Sequence, residues 1–198
     1  MKITELRGIK QDPIYQKVKD IFDPDKSQLS LYSIQGRRRA LSKLKGIMYD
    51  LGFDYISQGI YGATFVHPNY PWVFKIFTHD QHYQWYLNYA INNQSNPYVP
   101  KIRGKYIAID PKTYLVRIEK LQEVDQNTYE AFDDLIWALR FEINNPQAQQ
   151  IISDRHPSLR KIIEDLLVYT KSSGARFDIH EGNVMLRGSQ LVITDPIA

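Results

Sequence analysis

Arg176-Phe177-Asp178-Ile179-His180-Glu181-Gly182-Asn183, continued by Val184-Met185-Leu186 and then by Leu191-Val192-Ile193-Thr194-Asp195-Pro196, is the stretch on which the reading of the chain turns. The two apolar runs flank Arg187-Gly188-Ser189, a glycine-centred turn, and so predict a short β-hairpin. That hairpin would carry Asp195 back toward Asn183, while Asp178 and Asn183 fit opposite ends of one tight loop. Two carboxylates and an amide would then converge from one compact segment. Those are the groups that moving a phosphoryl group requires: one carboxylate to orient the attacking hydroxyl, and an amide oxygen with a second carboxylate to hold magnesium against nucleotide phosphates. Asp178 is the candidate for the first role, Asn183 and Asp195 for the second. The segment by itself also fits a polar loop before an ordinary hairpin, with Asp178 capping the turn and Gly182-Asn183 bending it.

The order of the other elements separates these readings. Ser57 to Val66 reads as strand, glycine-bearing turn and strand, with Gly59 and Gly62 in the turn; Val73-Phe74-Lys75-Ile76-Phe77 reads as a third strand with a central lysine. Glycines let a hairpin backbone close over phosphates without Cβ clashes, and a strand-borne ammonium neutralises phosphate oxygens. Gly59, Gly62 and Lys75 are therefore the candidate nucleotide-binding residues. Lys105–Ile109 and Thr113–Glu119 alternate as two further strands joined at Asp110-Pro111-Lys112, completing a five-stranded antiparallel sheet. Glu119 to Glu123, with Glu119 and Leu121 at the base-binding positions, would form a hinge whose backbone meets adenine.

Glycine turn, strand lysine, hinge, helix, Asp-loop-Asn and final Asp follow one another as in a protein kinase. From about Met48 to Ala198 the chain resembles the early serine/threonine protein kinases of T-seven-like podoviruses. Gly59-Ile60-Tyr61-Gly62, Phe65-Val66-His67-Pro68, Val73-Phe74-Lys75, Phe177 to Asn183 and Ile193-Thr194-Asp195-Pro196 carry the resemblance. It implies an α+β, protein-kinase-like two-lobe fold: an N-terminal helical extension over 1–46, an N-lobe over 47–121, and a reduced, mainly helical C-lobe over 122–198 with the catalytic loop. It also implies ATP and magnesium as cofactors, early expression in the host cytoplasm, and phosphorylation of host proteins and of itself. The expected partner is a host protein, with the transcription machinery a candidate and shut-off of host transcription the consequence.

The sequence departs from the usual kinase pattern in several places. Kinases carry a glutamate on the helix after the lysine strand that pairs with the lysine, yet Ile76 to Ile118 contains no Glu, and Asp80 and Asp110 are its only acids. Lys75 would then be positioned by Gln81, Gln84 or Asp195, or poorly. That departure keeps open a catalytically weak or inactive kinase-like protein that inhibits its host target by binding it. His180 stands where protein kinases usually have lysine, which is reminiscent of small-molecule kinases, although a histidine bonded within the loop also fits. Phe177 replaces the usual arginine, and Asp195-Pro196 stands where Asp-Phe-Gly is usual. Only Ile197 and Ala198 follow, so protein substrates are expected to be held by other surfaces, such as the N-terminal extension, or by a second chain.

The 198 residues, 43% of them apolar, suffice for one packed domain or two small lobes. With no cysteine, thiol catalysis, disulfides and thiolate metal sites are excluded. No apolar run long enough for a membrane span occurs, and no membrane partner is expected. Asp12-Pro13 starts a predicted helix bearing Ile14, Val18, Ile21 and Phe22, ended by Asp23-Pro24. A second helix is predicted over Gly36 to Leu51, with Leu41, Leu44, Ile47, Met48 and Leu51 inward and Arg37, Arg38, Arg39, Lys43 and Lys45 outward. A net charge of +3 is small for a nucleic-acid binder, so that basic face reads as solvated. Tyr129, Phe132, Ile136, Leu139 and Ile143 form one helical stripe, and Leu159, Ile162, Ile163, Leu166 and Tyr169 a second, both expected in the C-lobe core.

Overall fold

The computed structural model describes residues 33–125 and 145–198, together with 18, 20, 135, 137 and 138. The predicted helix at 12–24 lies outside the described residues except for Val18 and Asp20, which are helical, and so do all five residues of the 129–143 stripe. The chain divides into two compact units, one of Met1–Asp80 with Ile102–Lys120 and one of Gln81–Lys101 with Leu121–Ala198. Residues 81–101, inside the expected N-lobe span, group with the second unit.

The first unit is built on a five-stranded antiparallel sheet in the order β1-β2-β3-β5-β4. Its strands are β1 (Asp54–Gln58), β2 (Gly62–Val66), β3 (Trp72–Thr78), β4 (Ile107–Asp110) and β5 (Thr113–Glu119). Helix α1 (Ile34–Asp50) begins two residues before its predicted start, because the Ser33 hydroxyl accepts from the Gly36 amide at 2.9 Å. It is followed by Gly52, in the left-handed region at φ 81°. Ala40, Leu41, Leu44 and Met48 of α1 pack on Phe53, Phe65, Phe74, Ile76 and Leu115, with Val18 in the same cluster. Each of the larger of these side chains, Ala40 excepted, contributes about 1.5–3 kcal/mol by leaving water. Arg37, expected outward, is instead only 8% exposed, its guanidinium 5.1 Å from the centre of the Tyr61 ring. Its alkyl stem and delocalised cation tolerate this burial against an aromatic face better than a lysine would.

The second unit holds α2 (Gln81–Asn92), α3 (Pro146–Arg155), α4 (Pro157–Ser173) and a three-stranded sheet of β6 (Gln122–Glu123), β7 (Val184–Arg187) and β8 (Gln190–Ile193) in that order. Helix α4 starts at a proline, whose fixed φ suits a first turn, and stops at Gly174 with φ 75°. Its Leu159, Ile162, Ile163 and Leu166 are buried, as the stripe predicted. Trp85 of α2 stacks on Tyr169 of α4 at 4.0 Å, and His82 Nδ1 lies 2.9 Å from the Tyr169 hydroxyl. Those contacts place α2 with the helices of the second unit. Among the described residues no helix is long and apolar enough to cross a membrane.

Candidate active site

Two clusters of the sequence-predicted residues form, one in each unit. In the first unit, the turn between β1 and β2 is closed by the Gly59 amide donating to the Gly62 carbonyl at 2.9 Å. Antiparallel pairing sets Gly62 opposite Phe77 and Lys75 opposite Thr64 and Val116. Alternation along β3 sends Phe74 and Ile76 into the core beneath α1 and Lys75 to the other face. A Cβ on Gly62 would sit 3.0 Å from the Ile76 carbonyl oxygen, 3.2 Å from Phe77 Cβ and 3.5 Å from Lys75 Cε. Glycine is favoured there because β3, at the Ile76 carbonyl and Phe77 Cβ, runs too close for a side chain, while the Lys75 stem is in ordinary contact. Gly59, by contrast, has open space around it. Glycine turn and strand lysine thus meet within one sheet.

In the second unit, Phe177 bridges Ile197, and the Asp178 amide donates to the Pro196 carbonyl at 2.8 Å, so the segment after β8 is paired back against the loop that carries Asp178. The Asn183 side-chain amide donates to the Asp178 carbonyl at 2.7 Å and to its carboxylate Oδ2 at 3.1 Å. Two acceptors fix which way the amide points, because a flipped Oδ1 would face two oxygens. The Asn183 Oδ1 is thereby turned away from Asp178 and left for another ligand. The Thr194 amide and hydroxyl both donate to the Asn183 carbonyl, at 2.9 and 3.0 Å, which sets Asp195 one residue from that anchor. The hairpin turns at Gly188, φ 61°, as predicted. His180 is bonded within the loop: its Nδ1 accepts from the Gly182 amide at 3.0 Å, and a Cβ on Gly182 would strike its ring at 2.8 Å. Its Nε2 stands 3.8 Å from Asp178 Oδ1.

Asn183 Oδ1 and the Asp195 carboxylate are hard oxygen donors, the kind magnesium takes, usually only one or two from protein with the remainder from water and phosphate. Among the described residues no group of three or more His, Cys, Asp or Glu that would cage a metal without such help is present. Glu119 closes β5 opposite Trp72, and the chain passes from the first unit to the second between Lys120 and Leu121. Gln122 and Glu123, expected in a hinge, form β6 and pair with Leu186 and Met185.

One residue that sequence reasoning did not single out is Tyr86 of α2. Fully buried, it donates its hydroxyl to the Ile193 carbonyl at 2.6 Å, while the Ile193 amide donates to the Tyr98 carbonyl at 2.9 Å. The strand end two residues before Asp195 is held on both sides. Burial, then the neighbouring Tyr83 and Asp195, push the Tyr86 hydroxyl well above its usual pKa, so it remains a donor. Tyr86→Phe leaves that buried carbonyl without its donor, a loss of about 1–3 kcal/mol. We expect a melting temperature lower by about 2–12 °C in calorimetry. An unchanged melting temperature would show that the bond contributes nothing to the strand's placement. The signal was hidden because Tyr83, Tyr86 and Tyr89 are indistinguishable in composition until the helix phase is known.

The antiparallel sheet with its strand lysine and glycine turn, together with the Asp178 loop and the hairpin ending at Asp195, makes this a protein-kinase-like protein. Residues 25–198 match the family described as Bacteriophage T7 protein kinase 0.7, and the chain belongs to that family. No curated protein matches. Among solved structures, the crystal structure of Rad53 1-466 in complex with AMP-PNP is similar at 15% identity and a TM-score of 0.38, covering 78% of this chain and 42% of that one. The chain thus spans about two fifths of the length of that chain.

Proposed function

We propose that the chain is an early bacteriophage serine/threonine protein kinase that transfers the γ-phosphate of ATP, with magnesium, to host proteins and to itself. Its action in the host cytoplasm would contribute to host takeover and to shut-off of host transcription. Family membership supports the class, and the bond from Asn183 to the Asp178 carboxylate is the observation that carries the chemistry. In this reading Asp178 accepts the substrate hydroxyl proton as the hydroxyl oxygen bonds to the γ-phosphorus and the bond to the β-phosphate oxygen breaks. Asn183 steers the carboxylate by occupying Oδ2. Magnesium, held by Asn183 and Asp195, would neutralise the phosphate oxygens. Lys75 would hold the α- and β-phosphates beneath the backbone of Gly59–Gly62, with Glu119 and Leu121 beside the base.

A second reading has its own observation. Helix α2 carries no acidic residue at all, so the carboxylate that ordinarily aims a kinase lysine is absent from it. A weak or inactive kinase-like protein that binds and inhibits a host target would need none. Transfer of labelled γ-phosphate into host lysate and into the protein itself, with Asp178→Ala and Asp195→Asn run beside the wild type, decides between them. Label that disappears in both variants supports the enzyme; no label with the host still inhibited supports the binder.

A further inference from the structure

We propose that the exposed face of α1 is a docking surface for an acidic segment of a protein partner. Arg38, Arg39, Lys43 and Lys45 are exposed on this helix, whereas Arg37 is turned inward. The first turn holds no acid, and Asp50, the only acid of the helix, is its last residue. Arginines this close to a helix N-terminus stand against the positive end of the dipole. Among the described residues no carboxylate pairs with Arg38, Arg39 or Lys43, and Lys45 lies 3.7 Å over the ring of Tyr55.

Gly46 is an independent observation on the same face. It sits inside the helix, exposed, and a Cβ there would meet nothing within 4 Å. Among the described residues nothing requires glycine at this position, yet it costs about 1 kcal/mol relative to alanine. Helical spacing puts Ser42 and Gly46 in one row, with Arg39 and Lys43 on one side and Lys45 and Tyr49 on the other. The result is a shallow track between cations, into which an extended backbone can come close. Two features unfavourable to the isolated helix therefore coincide where a partner would sit.

Charge decides the kind of partner. Four cations between Arg38 and Lys45 span about 10 Å of helix, fewer than the roughly 6–10 phosphate contacts of a typical nucleic-acid site. Asp50 and Asp54 are exposed at the far end of the track and would repel a continuous phosphate backbone. A peptide with a few carboxylates followed by an apolar residue matches the cations first and then Tyr49, 74% exposed, with Tyr55 and Ile56. The proposal deepens the protein-substrate reading above, but the binding itself requires no phosphoryl transfer.

The test is fluorescence anisotropy of the whole protein with a labelled peptide of about 15 residues, Asp/Glu/Ser-rich and leucine-ended, at about 50 and about 200 mM salt. Wild type should bind, and more weakly at the higher salt. The triple variant R38E, R39E, K43E should lose at least about 30-fold in affinity. Gly46→Gln should raise the melting temperature, since glutamine is a far better helix former, yet weaken the peptide about tenfold by filling the track. A purely structural glycine would give the first change without the second. Lys43→Glu alone serves if the triple variant does not fold. The proposal is overturned if wild type does not bind the peptide, if Gly46→Gln binds it unchanged, or if the charge reversals leave affinity intact. It is overturned in favour of nucleic acid if single-stranded DNA of about 20 nucleotides binds more tightly under the same conditions. Peptide binding without any label transfer would leave the docking surface standing and remove the enzyme reading.

Discussion

Asp178→Ala is expected to lower phosphoryl transfer to protein hydroxyls by about 10²–10⁴-fold, the range for removing a positioned general base, while the melting temperature moves by no more than about 2 °C. The side chain is 47% exposed, so truncating it leaves no buried cavity. The loop keeps its other fastenings. The Asn183 amide retains its 2.7 Å bond to the Asp178 carbonyl, and the backbone bond from Asp178 to Pro196 does not involve the side chain. Binding of magnesium-ATP should be nearly unchanged, because in the proposed mechanism Asp178 would meet the hydroxyl rather than the phosphates. The loss should therefore fall on kcat and leave the nucleotide KM near wild type. Single-turnover transfer of labelled phosphate reads this directly, and a rate within about threefold of wild type would remove Asp178 from the chemistry. Asp178→Asn is a poorer control. It sets a second amide against the Asn183 donor, and disturbance of the loop would then mix with loss of the base.

The parts of the site legible in the sequence are those fixed by local geometry. A glycine turn between alternating strands, a lysine centred in a third strand and a hairpin behind an Asp-loop-Asn each depend on residues close together in the chain. All were placed where expected, down to the turn at Gly188. Contacts between distant elements were not legible. Tyr86 reaches Ile193 across 107 positions, and Arg37 meets the ring of Tyr61 in the glycine turn. Its charge put Arg37 with its basic neighbours on the outer face, although four residues before Leu41 it falls on the buried row of α1. Gln122-Glu123 was read as hinge because two residues are too few to show strand alternation; only pairing with β7 makes them a strand. Helix α2 shows the same limit: its tyrosines and tryptophan give it a mixed face, and stacking on Tyr169 decides its neighbours.

Asp195→Asn should reduce transfer by about 10³-fold at millimolar magnesium, since a metal on transferring phosphoryl oxygens supplies several kcal/mol of charge stabilisation. The substitution keeps the shape and removes a negative oxygen donor. The bonds from Thr194 to the Asn183 carbonyl and from the Asp178 amide to the Pro196 carbonyl do not use the Asp195 carboxylate. Nucleotide binding, which the proposed function assigns to Lys75 and the glycine turn, should persist while its dependence on magnesium weakens. A thermal shift with ATP alone should survive, and the additional shift on adding magnesium should shrink. Asn183→Ala makes the assignment sharper. If Asn183 Oδ1 and Asp195 hold the same ion, removing either displaces it, and the double variant should lose little more than the worse single one. Asn183→Ala also frees Oδ2 of Asp178, so it should carry a loss that Asp195→Asn lacks: weaker dependence on the hydroxyl acceptor at saturating magnesium. Losses that simply multiply would mean two separate roles and no shared ion. Full activity of Asp195→Asn would shift the search for the metal away from β8 and leave the paired segment behind it as a purely structural clasp for the Asp178 loop.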